Sequence, residues 1–121
     1  MSENLKLNTI LAQAGIKNDK TTGALTTPLH FATTYQHPEF GQSTGYDYTR
    51  TKNPTRASLE ETLAAIESAD YALATSSGMS AIVLAFSIFP AGSKVLAVRD
   101  LYGGSFRWFA QVEAEGRFSF T

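Results

Sequence analysis

Apolar positions are spaced in two different ways along this chain. After a short amphipathic start at Leu5, Leu7, Ile10 and Leu11, the stretch from Lys17 to Asn53 mixes Thr, Gly and Asn with isolated aromatics and holds no sustained period of 3.6 or 2. It reads as an extended arm, and a structureless segment of that length is expected to pack on another surface, most naturally a neighbouring subunit. From Asn53 the spacing becomes regular. Asn53 can cap a helix whose first position is Pro54, where the missing N–H costs nothing. Leu59, Leu63 and Ile66 follow at helical spacing to near Asp70. Tyr71 to Thr75 predicts a short buried strand, Ser76-Ser77-Gly78 a tight turn, and Met79 to Phe89 an almost wholly apolar helix stopped by Pro90 and Gly92. A second strand is predicted from Lys94 to Arg99, and a third helix from Ser105 to Glu115 ending at Gly116. A third strand begins at Arg117.

This alternation predicts an α/β fold with a largely parallel sheet and right-handed crossovers. The expected division is an arm over residues 1–53 and the first part of an α/β domain over 54–121. A helix apolar on nearly every face needs cover on nearly every face, and three short strands supply little. The chain is therefore expected to be the amino-terminal piece of a larger domain.

Composition narrows the classes. With 43% hydrophobic and 17% charged residues the chain is globular rather than disordered. A formal net charge of -1 leaves no basic surface for nucleic acid. The absence of cysteine excludes disulfides and thiolate metal sites and fits the cytoplasm. The start lacks the pattern of a secretory leader, and the longest apolar run, Ala81 to Phe86, is far short of a membrane span. The expectation is a soluble cytoplasmic protein with no membrane or nucleic-acid partner.

Three segments could carry chemistry. Ala74-Thr75-Ser76-Ser77-Gly78-Met79-Ser80 feeds a helix whose first turn has free N–H groups and a positive dipole end, which suit a phosphate. Gly78 would admit close approach and Ser77 a hydroxyl, and a Ser-Gly that only caps a helix is the plain alternative. Tyr46 to Thr55 holds Tyr48 and Arg50, two residues apart on a segment read as extended, so both point one way. Such a pair suits a phosphate dianion, and a solvated polar loop is the plain alternative. Arg99-Asp100-Leu101-Tyr102-Gly103-Gly104-Ser105 lies at a strand's carboxyl end, where ligands of open α/β sheets gather. Tyr102 there could offer its face to a ring or be a rim tyrosine beside a loop. No G-x-G-x-x-G or G-K-[ST] is present, which argues against a nucleotide-binding domain.

In order and spacing, YDYTRTKNPT, SSGMSA and DLYGGS resemble the Cys/Met-metabolism family of pyridoxal-phosphate (PLP) enzymes, over essentially all 121 residues. The tract GQSTGYDYTRTKNPTR is most similar to the family's bacterial γ-synthase and thiolyase branch. The resemblance implies a fold of the aspartate-aminotransferase type (fold type I) and a homotetramer built as a dimer of dimers. It implies that Tyr48 and Arg50 reach the cofactor phosphate of the neighbouring subunit. Ser77, Gly78 and Met79 would bind the subunit's own cofactor phosphate, and Tyr102 would stack on the pyridine ring and assist proton movement. The implied reaction joins an O-acylhomoserine to cysteine, giving cystathionine, or to sulfide. A lyase of the same family, acting on cystathionine or methionine, is the alternative, and a non-catalytic interface module the alternative of another class.

Ser105 departs from the family's usual Thr but keeps the hydroxyl. The family's Schiff-base lysine, pyridine-nitrogen aspartate and carboxylate-binding arginine all lie beyond Thr121, and Lys6, Lys17, Lys20, Lys52 and Lys94 are poor substitutes. The chain by itself is therefore expected to be inactive. His30 and His37 read as packing or surface residues without matching carboxylates, and no metal site is expected. Phe106, Trp108 and Phe109 read as a buried helix face, and Glu60, Glu61 and Glu67 as the solvated side of a helix.

Overall fold

The computed structural model describes residues 6–16, 19 and 21–121, so the expectations placed on Leu5, Lys17 and Lys20 lie outside the described residues. The chain forms two compact units, Met1–Ala74 and Thr75–Thr121. Among the described residues no helix is long and apolar enough to cross a membrane.

In the first unit, helix α1 spans Leu7–Ala12 and helix α2 spans Pro54–Ile66. The cap of α2 forms as its sequence predicts: Asn53 Oδ1 accepts from the N–H groups of Thr55 at 2.8 Å and Arg56 at 3.4 Å. After α1 the chain turns at Gly15, whose φ of +70° suits glycine. The Thr27 hydroxyl donates to the Gly15 carbonyl and lies 3.4 Å from the Ser58 hydroxyl of α2.

The arm is not simply extended. It doubles back, with Tyr35 N–H donating to the Asp47 carbonyl at 3.1 Å and Thr49 N–H to the Thr33 carbonyl at 2.9 Å around an antiparallel bridge at Thr34 and Tyr48. Buried Asn53 then holds three strands of this loop at once. Its two Nδ2 hydrogens are shared among the His30 carbonyl at 3.1 Å, the Tyr35 hydroxyl at 3.3 Å and the Thr49 hydroxyl at 2.8 Å. A loop closed by two isolated bridges and a side-chain amide has no side-chain period, which is why the pattern left it featureless.

Tyr71 to Thr75 is not a strand. A strand exists only with a neighbour for its N–H and C=O groups, and this segment has no ladder partner among the described residues. Ala74 N–H goes instead to Glu60 Oε1 at 2.9 Å, and Tyr71 stands exposed.

The second unit runs α3 (Gly78–Phe86), β1 (Ser93–Val95), α4 (Gly103–Ala114) and β2 (Phe118–Phe120). β1 and β2 pair in parallel with Ser93 opposite Phe118 and Val95 opposite Phe120, the arrangement a β-α-β unit requires. The predicted strand from Lys94 to Arg99 is cut to Ser93–Val95, although Ala97 N–H still reaches the Thr121 carbonyl at 2.9 Å. Helix α3 ends a turn before the expected Phe89. Pro90 has no N–H for the Phe86 carbonyl and its ring crowds that group, so the carbonyl accepts from Phe89 at 3.2 Å in a tightened last turn. Helix α4 starts two residues earlier than expected, at Gly103.

The core of this unit is aromatic. The Phe86 ring centre lies 5.2 Å from that of Trp108, 5.3 Å from Phe109 and 5.5 Å from Phe118, and Phe109 stacks on Phe120 at 4.2 Å. Ser105, Trp108, Phe109 and Val112 form the inward i, i+3, i+4, i+7 stripe of α4. Phe106 lies a hundred degrees off that stripe. It is exposed, against the expectation that it is buried. No residue of α3 is buried, and Val83, Leu84, Ile88 and Phe89 leave apolar surface open around it.

Candidate functional site

The first candidate segment is a turn, not the extended segment the sequence suggested. The Tyr48 carbonyl accepts from the N–H groups of Thr51 and Lys52, both at 3.0 Å, and from the Thr51 hydroxyl at 2.7 Å. This turn brings Tyr48 and Arg50 together: an Arg50 Nη donates to the Tyr48 hydroxyl at 2.8 Å, and its guanidinium carbon lies 5.0 Å from the ring centre. The remaining guanidinium donors face solvent, and the Lys52 ammonium sits 5.3 Å over the Tyr46 ring. A fork of donors, a phenol and a nearby ammonium form a set suited to a phosphate dianion.

Asp47 borders this turn. The Ser43 hydroxyl donates to its carboxylate, and His37 Nε2 lies 2.8 Å away. The Ser43 bond, then the charges of His37 and Lys52, hold the Asp47 carboxyl below the usual carboxylate range. His37 thus has the carboxylate partner that its sequence context did not reveal. Among the described residues no group of three potential ligands could hold a metal ion.

The second candidate segment lies in the other unit. Ser77 Oγ accepts from Ser80 N–H at 3.1 Å, so it does cap α3, and the two hydroxyls lie 3.0 Å apart. At Gly78 and Met79, the helix's first two positions, no acceptor for the N–H groups occurs among the described residues. A Cβ on Gly78 would meet nothing within 4 Å, so the turn is open to a ligand.

Tyr102 joins this turn through Gly104. A Cβ on Gly104 would lie 2.6 Å from Tyr102 Cε1 and 3.3 Å from Met79 Sδ, while the Ser105 hydroxyl points at the same sulfur from 3.5 Å. The Tyr102 ring lies folded over Gly104 with its other side exposed. Backbone donors beside an exposed aromatic face match a phosphorylated planar ring in chemistry. Ser77, Gly78, Met79 and Tyr102 are thus in one unit and Tyr48 and Arg50 in the other.

Two residues around the Tyr48–Arg50 turn were missed. Arg56 donates to the Thr49 carbonyl at 3.2 Å and the Thr51 carbonyl at 2.8 Å. Glu60, expected to be solvated, is half-buried, with Oε1 3.6 Å from Arg56 Nε as well as holding Ala74. Arg56 and Glu60 stand at i and i+4 directly after the cap, the one sequence signal that could have paired them.

Known proteins resemble this arrangement. The sequence profile of the family described as Cys/Met metabolism PLP-dependent enzyme matches residues 8–121. A cystathionine gamma-synthase of Haemophilus influenzae is 47% identical over 107 residues, 88% of this chain and 29% of the relative. A cystathionine gamma-lyase of Bacillus subtilis is 41% identical over 89% of this chain and 28% of the relative. A crystal structure of cystathionine gamma synthase from Xanthomonas oryzae pv. oryzae, in complex with aminoacrylate and cysteine, superposes with a TM-score of 0.90 at 35% identity, covering 98% of this chain and 31% of that one. The chain thus spans about three tenths of the length of the relatives it matches.

Proposed function

The chain belongs to the Cys/Met-metabolism family of PLP-dependent enzymes, and on that premise we propose that the intact protein performs γ-replacement, joining an O-acylhomoserine to cysteine to give cystathionine. Its fold is the α/β fold type I that the resemblance implied. The observation that carries the reading is the cluster of Met79, Gly104 and Tyr102, with the two free N–H groups of α3 beside it.

PLP, when bound, supplies the electron sink for breaking bonds at the substrate's α-carbon. The chain's own residues hold and orient. Gly78 and Met79 give backbone N–H groups to the phosphate, and Ser77 a hydroxyl alongside. Tyr48 and Arg50 serve the phosphate of a neighbouring subunit, the Arg bidentate and the Tyr as one further donor. Tyr102 would cover the pyridine face, and its hydroxyl would assist a proton transfer at the substrate.

The arm of residues 1–53 is the subunit contact in this reading. Leu25, Leu29, Phe31 and Phe40 are exposed along it, apolar surface that a second copy would cover. The high identity to a gamma-synthase supports synthesis over cleavage. A lyase is the second reading, favoured by the similar identity of the gamma-lyase relative.

The test is to incubate the intact protein with PLP, an O-acylhomoserine and cysteine and to quantify cystathionine. Formation of cystathionine with release of the acyl acid supports the proposal. Cleavage of cystathionine without its synthesis would replace it by the lyase.

A further inference from the structure

We infer that Arg56 is the positioning residue of the Tyr48–Arg50 turn, and that Glu60 sets Arg56. The inference rests on the phosphate role proposed for that turn. Arg50 lies on an exposed turn that is closed by the Thr51 and Lys52 N–H groups and the Thr51 hydroxyl, all donating to the Tyr48 carbonyl. Those bonds close the turn, and Thr49 ties its entry to the arm through the Thr33 and Ala32 carbonyls, but none of them fastens it to a helix.

Arg56 supplies that. It occupies the third position of α2, and its two Nη atoms take the carbonyls on either side of Arg50, Thr49 at 3.2 Å and Thr51 at 2.8 Å. Only a planar fork can hold both, because an ammonium on a flexible stem cannot match two carbonyls at fixed separation. Asn53 adds a third tie through the Thr49 hydroxyl. The turn is thereby fastened to a helix before any ligand arrives, which removes an ordering cost from binding.

Glu60, one helical turn on, faces the Arg56 Nε at 3.6 Å and also receives the Ala74 N–H. Its carboxylate keeps the guanidinium aimed at the backbone, so Arg56 does not compete with Arg50 for an anion.

The test is equilibrium dialysis of the intact protein against PLP and against pyridoxal, since the ratio of the two affinities isolates the phosphate. Wild type should prefer PLP, and Arg50→Ala should lose most of that preference. Arg56→Ala and Arg56→Lys should each lower the ratio about tenfold with the pyridoxal affinity unchanged, and Glu60→Gln should lower it less. Melting curves on the same variants register any purely structural contribution, which would lower the melting temperature and leave the ratio alone. A ratio that falls in Arg50→Ala and holds in Arg56→Lys overturns the inference while the phosphate reading stands. A wild type without preference for PLP over pyridoxal overturns both.

Discussion

Gly104 and Tyr102 are in such close contact that no side chain fits between them: a Cβ at residue 104 would lie 2.6 Å from Cε1 and 3.1 Å from Cδ1 of the ring. The ring is exposed on its other side and free to move away. Gly104→Ala should therefore displace Tyr102 rather than unfold α4. Stability should change by no more than about 1 kcal/mol, because alanine favours the helix by a similar amount. PLP affinity and turnover should both drop. A variant with normal PLP affinity and turnover would remove Tyr102 from the site.

Arg50→Ala should weaken PLP binding by roughly 1.5–3 kcal/mol, the range for a hydrogen bond to a charged group. Arg50→Lys keeps the charge without the fork and should recover only part of the loss. Unchanged PLP affinity in Arg50→Ala, read by dialysis, would contradict the assignment.

Asn53 is buried, and besides its cap its amide hydrogens serve three acceptors, one hydrogen being shared. Asn53→Ala removes the cap and leaves the His30 carbonyl short of a donor, so denaturant unfolding should show a loss of about 2–4 kcal/mol. A cost of only a few tenths would mean that the loop is held by other contacts.

Asp47 titrates below the usual carboxylate range, chiefly through the Ser43 hydroxyl. A carboxyl with a depressed folded pKa stabilises the fold above its unfolded value, and that contribution disappears as pH falls through the lower folded value. Ser43→Ala should raise the Asp47 pKa toward normal, so the contribution is lost at higher pH. An NMR titration of the Asp47 carboxyl in both proteins checks this, and identical curves would contradict it.

What the sequence revealed followed from local rules. The Asn53-Pro54 cap and the Gly116 stop were legible because each depends on a few adjacent residues, and the parallel β-α-β unit because the strand-helix-strand order leaves little choice of pairing. What it hid depends on partners distant in the chain. The doubling back of the arm relies on Asn53 reaching His30 and Tyr35, and Glu60 on meeting Ala74, neither of which leaves a period. Tyr71 to Thr75 has a strand's composition, but pairing makes a strand. Tyr48 and Arg50 were placed together correctly for the wrong backbone reason, since a turn and not strand alternation joins them.

The central claim is that one PLP site draws Tyr48 and Arg50 from one subunit and Ser77, Gly78, Met79 and Tyr102 from the next. Mixing Arg50→Ala and Tyr102→Ala subunits, dissociating and reassembling them, and assaying cystathionine formation tests it most directly. If the site is shared, a mixed pair rebuilds one site with both residues intact, and activity should rise well above that of either variant alone. If activity stays at the average of the two variants, both residues act within a single subunit and the shared site is wrong.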